Sequence, residues 1–429
     1  MTDARKQPGE VEPFSRKEVY NKCLCFESLC RERNLYKTKI NCYMMRFLIY
    51  VYTFSMIITA AAASAENPAQ PCKLCGHDVP APVSSQPDTT IHYPQEKHLK
   101  NIRQLTNGGD FAEAYFSFDD SMIAFQAKSA KWGTKCDHIY YFPFSDGHMK
   151  DHIPGLISEG LGRTTCSFFM PGDTSILYAS TRSGGSECPP EPERRADGKY
   201  LWPIYPDFDI YVANLKGQLI DTLVKSPGYD AEATVSPKGD LIVFTSDRSG
   251  DLELYTCKID GSDVKQITFD LGYDGGAFFS PDGTKLVFRS SRPKTPEEIK
   301  EYKDLLKEGL VAPTNMEIYV CNVDGSDLRQ ITSLGKANWA PFFHPSGEKI
   351  LFSSNHAGAR GFEFNLYMIN LDGSGLERIT WDPVFDAFPM FSYDGKKLIF
   401  SSNRNNAEPA IPICSSLTGL NRQAHIAGS

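Results

Sequence analysis

The stretch that decides the fold is Tyr273–Thr332, which opens YDGGAFFSPDGTKLVFRSS (273–291) and closes EIYVCNVDGSDLRQIT (317–332). Its Ser280-Pro281-Asp282-Gly283 turn has counterparts at Ser236-Pro237-Lys238-Gly239, His344-Pro345-Ser346-Gly347 and Ser392-Tyr393-Asp394-Gly395. The spacings are about 44, 64 and 48 residues, the long one carrying an insertion of about twenty. A period in the forties built from strands and Gly turns is the pattern of a β-propeller, one four-stranded sheet per repeat. Within a repeat, AFFS is apolar enough for an innermost strand buried on both sides. KLVFRS and EIYVCNV carry β-branched and aromatic residues at alternate positions. Asp324-Gly325-Ser326 is a hairpin turn and LRQIT the fourth strand. No helical period fits these segments.

On either side of this repeat the pattern continues, and six inner strands are expected at 113–117, 164–169, 232–236, 276–280, 340–344 and 388–392. IRQLT (102–106) repeats the fourth-strand pattern of VKQIT and LRQIT. A chain that begins with a fourth strand must complete its last blade with it, which removes free sheet edges. The expectation is therefore an all-β, six-bladed propeller over 101–406, closed by an N-terminal strand and carrying one inserted helix. That helix lies in TPEEIKEYKDLLKEGL, where Ile299, Tyr302, Leu305, Leu306 and Leu310 share a face, Thr295 or Pro296 opens it and Gly309 ends it.

The flanks read differently. Residues 1–43 contain Cys23, Cys25, Cys30 and Cys42 among many charges and show no period, as an over-extended gene start or a disordered stretch would. Residues 44–65 read as a secretory leader: Arg46, the apolar run 47–59 and the small-x-small site Ala63-Ser64-Ala65. The competing reading is a membrane anchor, for which the run is short. Residues 66–100 are a Pro-rich, polar linker. In it Cys72, Cys75 and His77 make half a zinc site, or after export a local disulfide or plain thiols. The tail 407–429 has Pro409 and Pro412 where a third strand is due. A back-translation of 407–419 with one base inserted reads NLFIADW, comparable with the third strand NLYMIN at 365–370. The tail is therefore expected to be frame-shifted after Asn406, and as written to leave the last blade one strand short.

A net charge of −8 and a pI near 5.7 exclude a nucleic-acid partner that needs a basic face. No G-x-S-x-G, H-E-x-x-H or G-x-x-x-x-G-K occurs, and His138, His148, His152, His344 and His356 do not group at ligand spacing. The inner strands begin on the face that also carries the long second-to-third-strand loops, 128–137, 184–207, 292–316 and 356–364. At that mouth Asp230, Asp274 and Asp386, with Asn338 in the equivalent place and Glu113 and Glu232 two residues further in, form a candidate ring. Such oxygens suit Ca2+, a cationic ligand or a sugar; equally they accept hydrogen bonds that hold the strands. Trp202, with Tyr200, Tyr205, Pro189, Pro190, Pro203 and Pro206, forms a stiff aromatic patch that contacts a ligand or packs over its blade. Cys136, Cys166 and Cys188 fall on the looped face and are disulfide candidates, Cys166–Cys188 being the pairing expected first. Cys257 and Cys321 share a third-strand position and read as small buried residues.

The repeat S-P-D-G-x-x-[IL]-x-F-x-S-x-R … I-Y-x-x-N-x-D-G-S-x-x-x-x-[IL]-T resembles that of the TolB-like, WD40-like (PD40) propellers. Ser280–Gly283, Asp324–Ser326 and Ile331-Thr332 carry the match over about 100–406. The resemblance implies a periplasmic propeller that binds envelope proteins, as in the Tol–Pal system, although no α/β domain of the TolB kind precedes blade one here. The expected role is an exported, non-catalytic binding or scaffold protein for an envelope protein, peptide or glycan on the looped face. It would need no resident cofactor, bind no nucleic acid and keep no membrane span once the leader is cut. The alternative is a channel-active enzyme such as a metal-assisted polysaccharide lyase, or a hydrolase-associated module.

Overall fold

A computed structural model describes residues 91–106, 110–144, 153–192, 195, 198–405 and the strand Gln423–Gly428. The leader, the linker up to residue 90 with Cys72, Cys75 and His77, and the segment 407–422 lie outside the described residues. Five blades each fold from one uninterrupted stretch, every one a four-stranded antiparallel meander. Blade one is Asp110–Phe116, Met122–Lys128, His138–Pro143 and Gly155–Leu156; blade two is Thr164–Phe169, Ser175–Ser180, Asp209–Asn214 and Leu219–Val224. Blade three is Asp230–Val235, Leu241–Ser246, Glu253–Lys258 and Lys265–Gln266; blade four is Asp274–Phe279, Lys285–Ser290, Glu317–Asn322 and Arg329–Gln330. Blade five is Asn338–Phe343, Lys349–Ser354, Asn365–Asn370 and Glu377–Arg378. The expected count of six is corrected to five blades of this kind. Beyond blade five the chain enters a composite sheet, in the order Lys100–Gln104, Gln423–Gly428, Lys397–Ser402, Asp386–Phe391, drawn from both ends of the described chain. The tail as written fills the third place of that sheet, pairing with Lys397–Ser402 on one side and Lys100–Gln104 on the other. The strand expected to be missing is present in the existing frame.

The repeat motif explains the packing. Its invariant aromatic is Phe125, Tyr178, Phe244, Phe288, Phe352 and Phe400, at the same place on each second strand, and every one is buried. In the first turn Ser280 Oγ donates to Asp282 Oδ1 at 2.6 Å, and the Thr284 N–H donates back to Ser280 Oγ at 3.2 Å, closing the loop without help from neighbours. His344, which replaces that serine, does the same work, its Nδ1 accepting from the Ser346 N–H at 3.1 Å. Gly325 of the second turn sits at φ 85°, and a Cβ there would collide with the carbonyl oxygen of Ile267 in the preceding blade. Asp-Gly-Ser is thus a packing device between blades as well as a turn.

Each inner strand is bent at one point. The ladder with the second strand skips between Ala112 and Tyr115, Thr165 and Ser167, Ala231 and Thr234, Gly275 and Phe278, Trp339 and Phe342, and Ala387 and Met390. The residue in the skip has a left-handed φ of 45–60°: Glu113, Cys166, Glu232, Gly276, Ala340 and Phe388. These are β-bulges, which explains Pro341 and Pro389 inside buried strands: a bulge leaves residues outside the ladder, so a missing N–H costs nothing there. The bulges also explain why the strands begin before the expected positions, at Asp110, Asp230, Asp274, Asn338 and Asp386.

Candidate functional site: the roofed channel

All six bulge residues line one cavity on the propeller axis, together with Tyr115, Ser167, Thr234, Phe278 and Arg289, among others. The bulge frees each residue's N–H from the ladder, and a side chain of the preceding blade takes it where the sequence supplies one. Gln126 Oε1 accepts from the Cys166 N–H (3.3 Å), Glu232 Oε2 from the Gly276 N–H (3.0 Å), and Ser353 Oγ from the Phe388 N–H (3.1 Å). The cavity has a volume of about 20 Å³, room for about one water.

Its chemistry centres on Arg289, which is buried and ion-paired with Glu232. Arg289 also donates to Tyr273 Oη at 2.7 Å and lies under the Trp202 ring, 5.0 Å from its centroid. Glu232 accepts from the hydroxyls of Tyr273 (2.6 Å) and Thr245 (2.8 Å) as well. Burial works against the Arg289 charge, but Glu232, together with the Tyr273, Glu113 and Cys166 groups around it, more than offsets that and holds the guanidinium above its ordinary pKa. Glu113 is less well compensated: it accepts a 3.2 Å bond from Tyr115, and burial outweighs the lowering by the Cys166 thiol and Arg289 and pushes its carboxyl up. Burial likewise raises the Cys166 thiol, with Glu113 adding to it. A Cβ at Gly276 would collide with Arg289 Nη1, so the guanidinium occupies space that only glycine leaves. Arg289 Nε and Ser167 Oγ are buried without a hydrogen-bond partner among the described residues.

Of the expected ring, Glu113 and Glu232 reach the channel; the others do not. Asp230, Asp274 and Asp386 are fully buried at the strand starts, where each is held by the arginine two residues past its own second strand. The bonds are Arg248–Asp230 at 2.7 Å, Arg292–Asp274 at 2.6 and 2.9 Å, and Arg404–Asp386 at 2.7 Å. This is what the S-x-R of the repeat is for. Asn338 replaces the aspartate where His356 replaces the arginine; it accepts from Ser354 Oγ (2.6 Å) and donates to the Met316 carbonyl (2.8 Å). Among the described residues no group of three or more His, Cys, Asp or Glu side chains is arranged to hold a metal ion.

The long loops of blades two and four meet above the channel. Trp202–Pro203 pairs antiparallel with Leu310–Val311 as a short ribbon. The ribbon comes after the helix Pro296–Lys307, which is capped at Thr295 by a reciprocal box with Glu298. Tyr302 and Leu305 are its buried residues; Leu310, expected on the helix, belongs to the ribbon instead, because Gly309 at φ 68° has already turned the chain. Trp202 packs on Trp339 (5.2 Å) and Tyr273 (6.3 Å), and Tyr200 on Trp339 (6.4 Å). Lys199 pairs with Glu301, and Arg195 with Glu308 at 3.3 Å, across the same two insertions. The aromatic patch is thus a roof. The disulfide is Cys136–Cys188, with Cα atoms 5.9 Å apart, and not Cys166–Cys188. The bulge turns Cys166 into the channel, away from the loops that hold the other two, and it is a free thiol. Cys257 and Cys321 are free and buried.

Sequence reasoning did not single out Arg289, Tyr273, Gly276 or the channel role of Cys166. One signal was available. Aligned on the repeat, the residue after the invariant aromatic is Gln126, Ala179, Thr245, Arg289, Ser353 and Ser401, and a lone arginine among small or neutral residues marks a charged core position.

Blades of this repeat around a roofed channel define a β-propeller. Residues 206–310 and 311–419 each match the family described as the TolB beta propeller domain (PD40), and the chain belongs to that TolB-like family. No curated protein matches it. Similar solved structures include a putative TolB from Agrobacterium tumefaciens, 18% identical, covering 76% of this chain and 96% of that one at a TM-score of 0.47. TolB from Acinetobacter baumannii is 20% identical, with coverage of 62% and 53% and a TM-score of 0.42. An oligogalacturonate lyase from Vibrio parahaemolyticus is 12% identical, with coverage of 78% and 94% and a TM-score of 0.44.

Proposed function

We propose that this chain is an exported, TolB-like propeller that acts as a non-catalytic binding or scaffold protein, its looped face receiving an envelope protein, a peptide or a glycan. The observation that carries this reading is the roof. A cavity of about 20 Å³ under Trp202 admits neither a sugar ring nor a peptide to Glu113 and Glu232, so recognition falls to the outer surface of the insertions and their neighbours. On that face, in the connections from a fourth strand to the next inner strand, Phe269 is 73% exposed and Trp381 37% exposed, the latter under Arg378 at 4.3 Å. Export is supported by the leader pattern at 44–65 and by the Cys136–Cys188 disulfide, a bond that persists in oxidising compartments. In this reading the composite sheet serves as a sixth blade and closes the ring.

One arrangement favours the channel-active alternative. Glu113, Glu232, Tyr273 and Arg289 converge on the axis as a carboxyl, a carboxylate, a phenol and a cation, the kinds of group that proton transfer uses. Thermal melts and turnover assays with pools of envelope glycans and peptides separate the two. Binding to the native state raises the midpoint by mass action. The binding reading expects a ligand-dependent rise that Phe269→Ala or Trp381→Ala removes while leaving the ligand-free midpoint unchanged, with no new chain ends formed. Chain cleavage that is abolished by Glu113→Gln would replace it with the enzyme.

A further inference from the structure

The arginine of the composite sheet is bound differently from its counterparts. Arg248 and Arg292 hold their aspartates with side chains 24% and 15% exposed. Arg404 is 0% exposed, and all five of its N–H groups are used. Nε and Nη2 donate to Asp386 at 3.2 and 2.7 Å. Nη1 donates to Glu96 Oε2 at 2.8 Å and to the Ile91 carbonyl at 2.7 Å, and Nη2 donates to Glu96 Oε1 as well. Glu96 is itself fully buried and accepts from the N–H groups of Trp381 and Tyr93, both at 3.0 Å. The Tyr93 ring covers the guanidinium at 5.1 Å, and its hydroxyl donates to Asp382 Oδ2 at 3.1 Å. Everything that distinguishes Arg404 therefore comes from residues 91–96, which lie just ahead of the strand Lys100–Gln104.

We propose that residues 91–96 are a detachable strap that fastens the composite sheet, and with it the closure of the propeller, by plugging Glu96 into the Arg404 socket. Charge makes the strap sensitive to pH. Glu96, Asp382 and Asp386 face a single guanidinium inside the socket. Around its margin Arg360 donates to the Pro383 carbonyl (2.9 Å), Arg378 covers Trp381, and the His92 ring contacts the Glu96 carbonyl oxygen (3.3 Å). Three ionised carboxylates on one buried cation would leave two negative charges uncompensated, and a proton on one of them halves that excess. Asp382 is the one: burial, and then Asp386, push it up to about 7. A carboxyl raised in the fastened state holds its proton there but gives it up near pH 4 when released. Its contribution to fastening is present below that pH, declines as pH rises toward 7 and is gone above it.

The test is limited trypsin digestion of the full chain, reading cleavage after Lys97 and Lys100, both exposed beside the strap. Wild type and Asp382→Asn are compared at the same pH, so the protease's own pH response cancels. Wild type should be cut faster than Asp382→Asn at both pH values, and the ratio should grow by more than about tenfold from pH 5.5 to pH 8, because released Asp382 is already ionised at pH 5.5 whereas fastened Asp382 keeps its proton up to about 7. Glu96→Gln should be cut faster than wild type at both pH values. Equal rates for wild type and Asp382→Asn at pH 8 would overturn the pH coupling. A Glu96→Gln protein cut no faster than wild type would overturn the strap itself, and if that variant fails to fold, Tyr93→Phe, which removes the hydroxyl bonded to Asp382, takes its place with the same expected direction.

Discussion

Glu253 and Glu317 open the third strands of adjacent blades, yet they live in different electrostatic worlds. Glu317 accepts from the Thr332 hydroxyl (2.5 Å), the Gly335 N–H (2.7 Å) and Asn338 Nδ2 (3.1 Å). Glu253 is 3% exposed, and its Oε2 has no hydrogen-bond partner among the described residues; burial pushes its carboxyl up to about 8. The native state therefore binds a proton that the unfolded chain releases near pH 4.3, and stability is lost as pH rises from there to about 8. Glu253→Gln should be more stable than wild type by about 1–3 kcal/mol at pH 8.5, with the difference vanishing near pH 4.5; melting both proteins at the two values checks it. At this scale the sequence was legible where a motif fixes a turn or a core aromatic, as at Ser280–Gly283 and Phe288. It was not legible at Asp230, Asp274 and Asp386. Their partners are arginines two residues past the second strand, and the repeat shows both residues without showing that the hairpin brings them together.

Among elements, the inserted helix was readable because its cap, its apolar face and its terminating glycine are all local. The ribbon it feeds was not, since two residues of blade two pair with two of blade four and no period spans that separation. The disulfide failed for a related reason: topology put Cys136, Cys166 and Cys188 on one face, and only the bulge at Cys166 tells that it points inward. The observed bond closes a separation of 52 residues, for which chain-entropy arguments give about 4 kcal/mol of stabilisation. Mild reduction should lower the melting midpoint by several degrees, and Cys136→Ser should melt where the reduced wild type does. A midpoint unmoved by reduction would mean that the two loops are held by their other contacts alone.

For the molecule as a whole, the repeat period announced the propeller, whereas the way the ends meet was only half visible. IRQLT declared itself a fourth strand, but QAHIAG (423–428) carries no motif and takes its place through the vacancy that the other three strands leave. A sheet assembled from segments some 300 residues apart gives up more chain entropy than a contiguous hairpin stack. Native-state hydrogen exchange should therefore show Asp386–Phe391 and Lys397–Ser402 losing protection at lower denaturant than Asp274–Phe279 and Lys285–Ser290. Loss of protection in all four strands at one denaturant concentration would show that the ring opens as a single unit.

The ring of bulges has an evolutionary consequence. Each inner strand takes one residue out of the ladder and presents it to the axis, where the six positions read Glu, Cys, Glu, Gly, Ala and Phe. Rewriting most of them changes the size and charge of the channel while the invariant aromatics go on packing as before. A lineage built on this repeat can fill, empty or charge its axis one position at a time while the loops above it stay as they are.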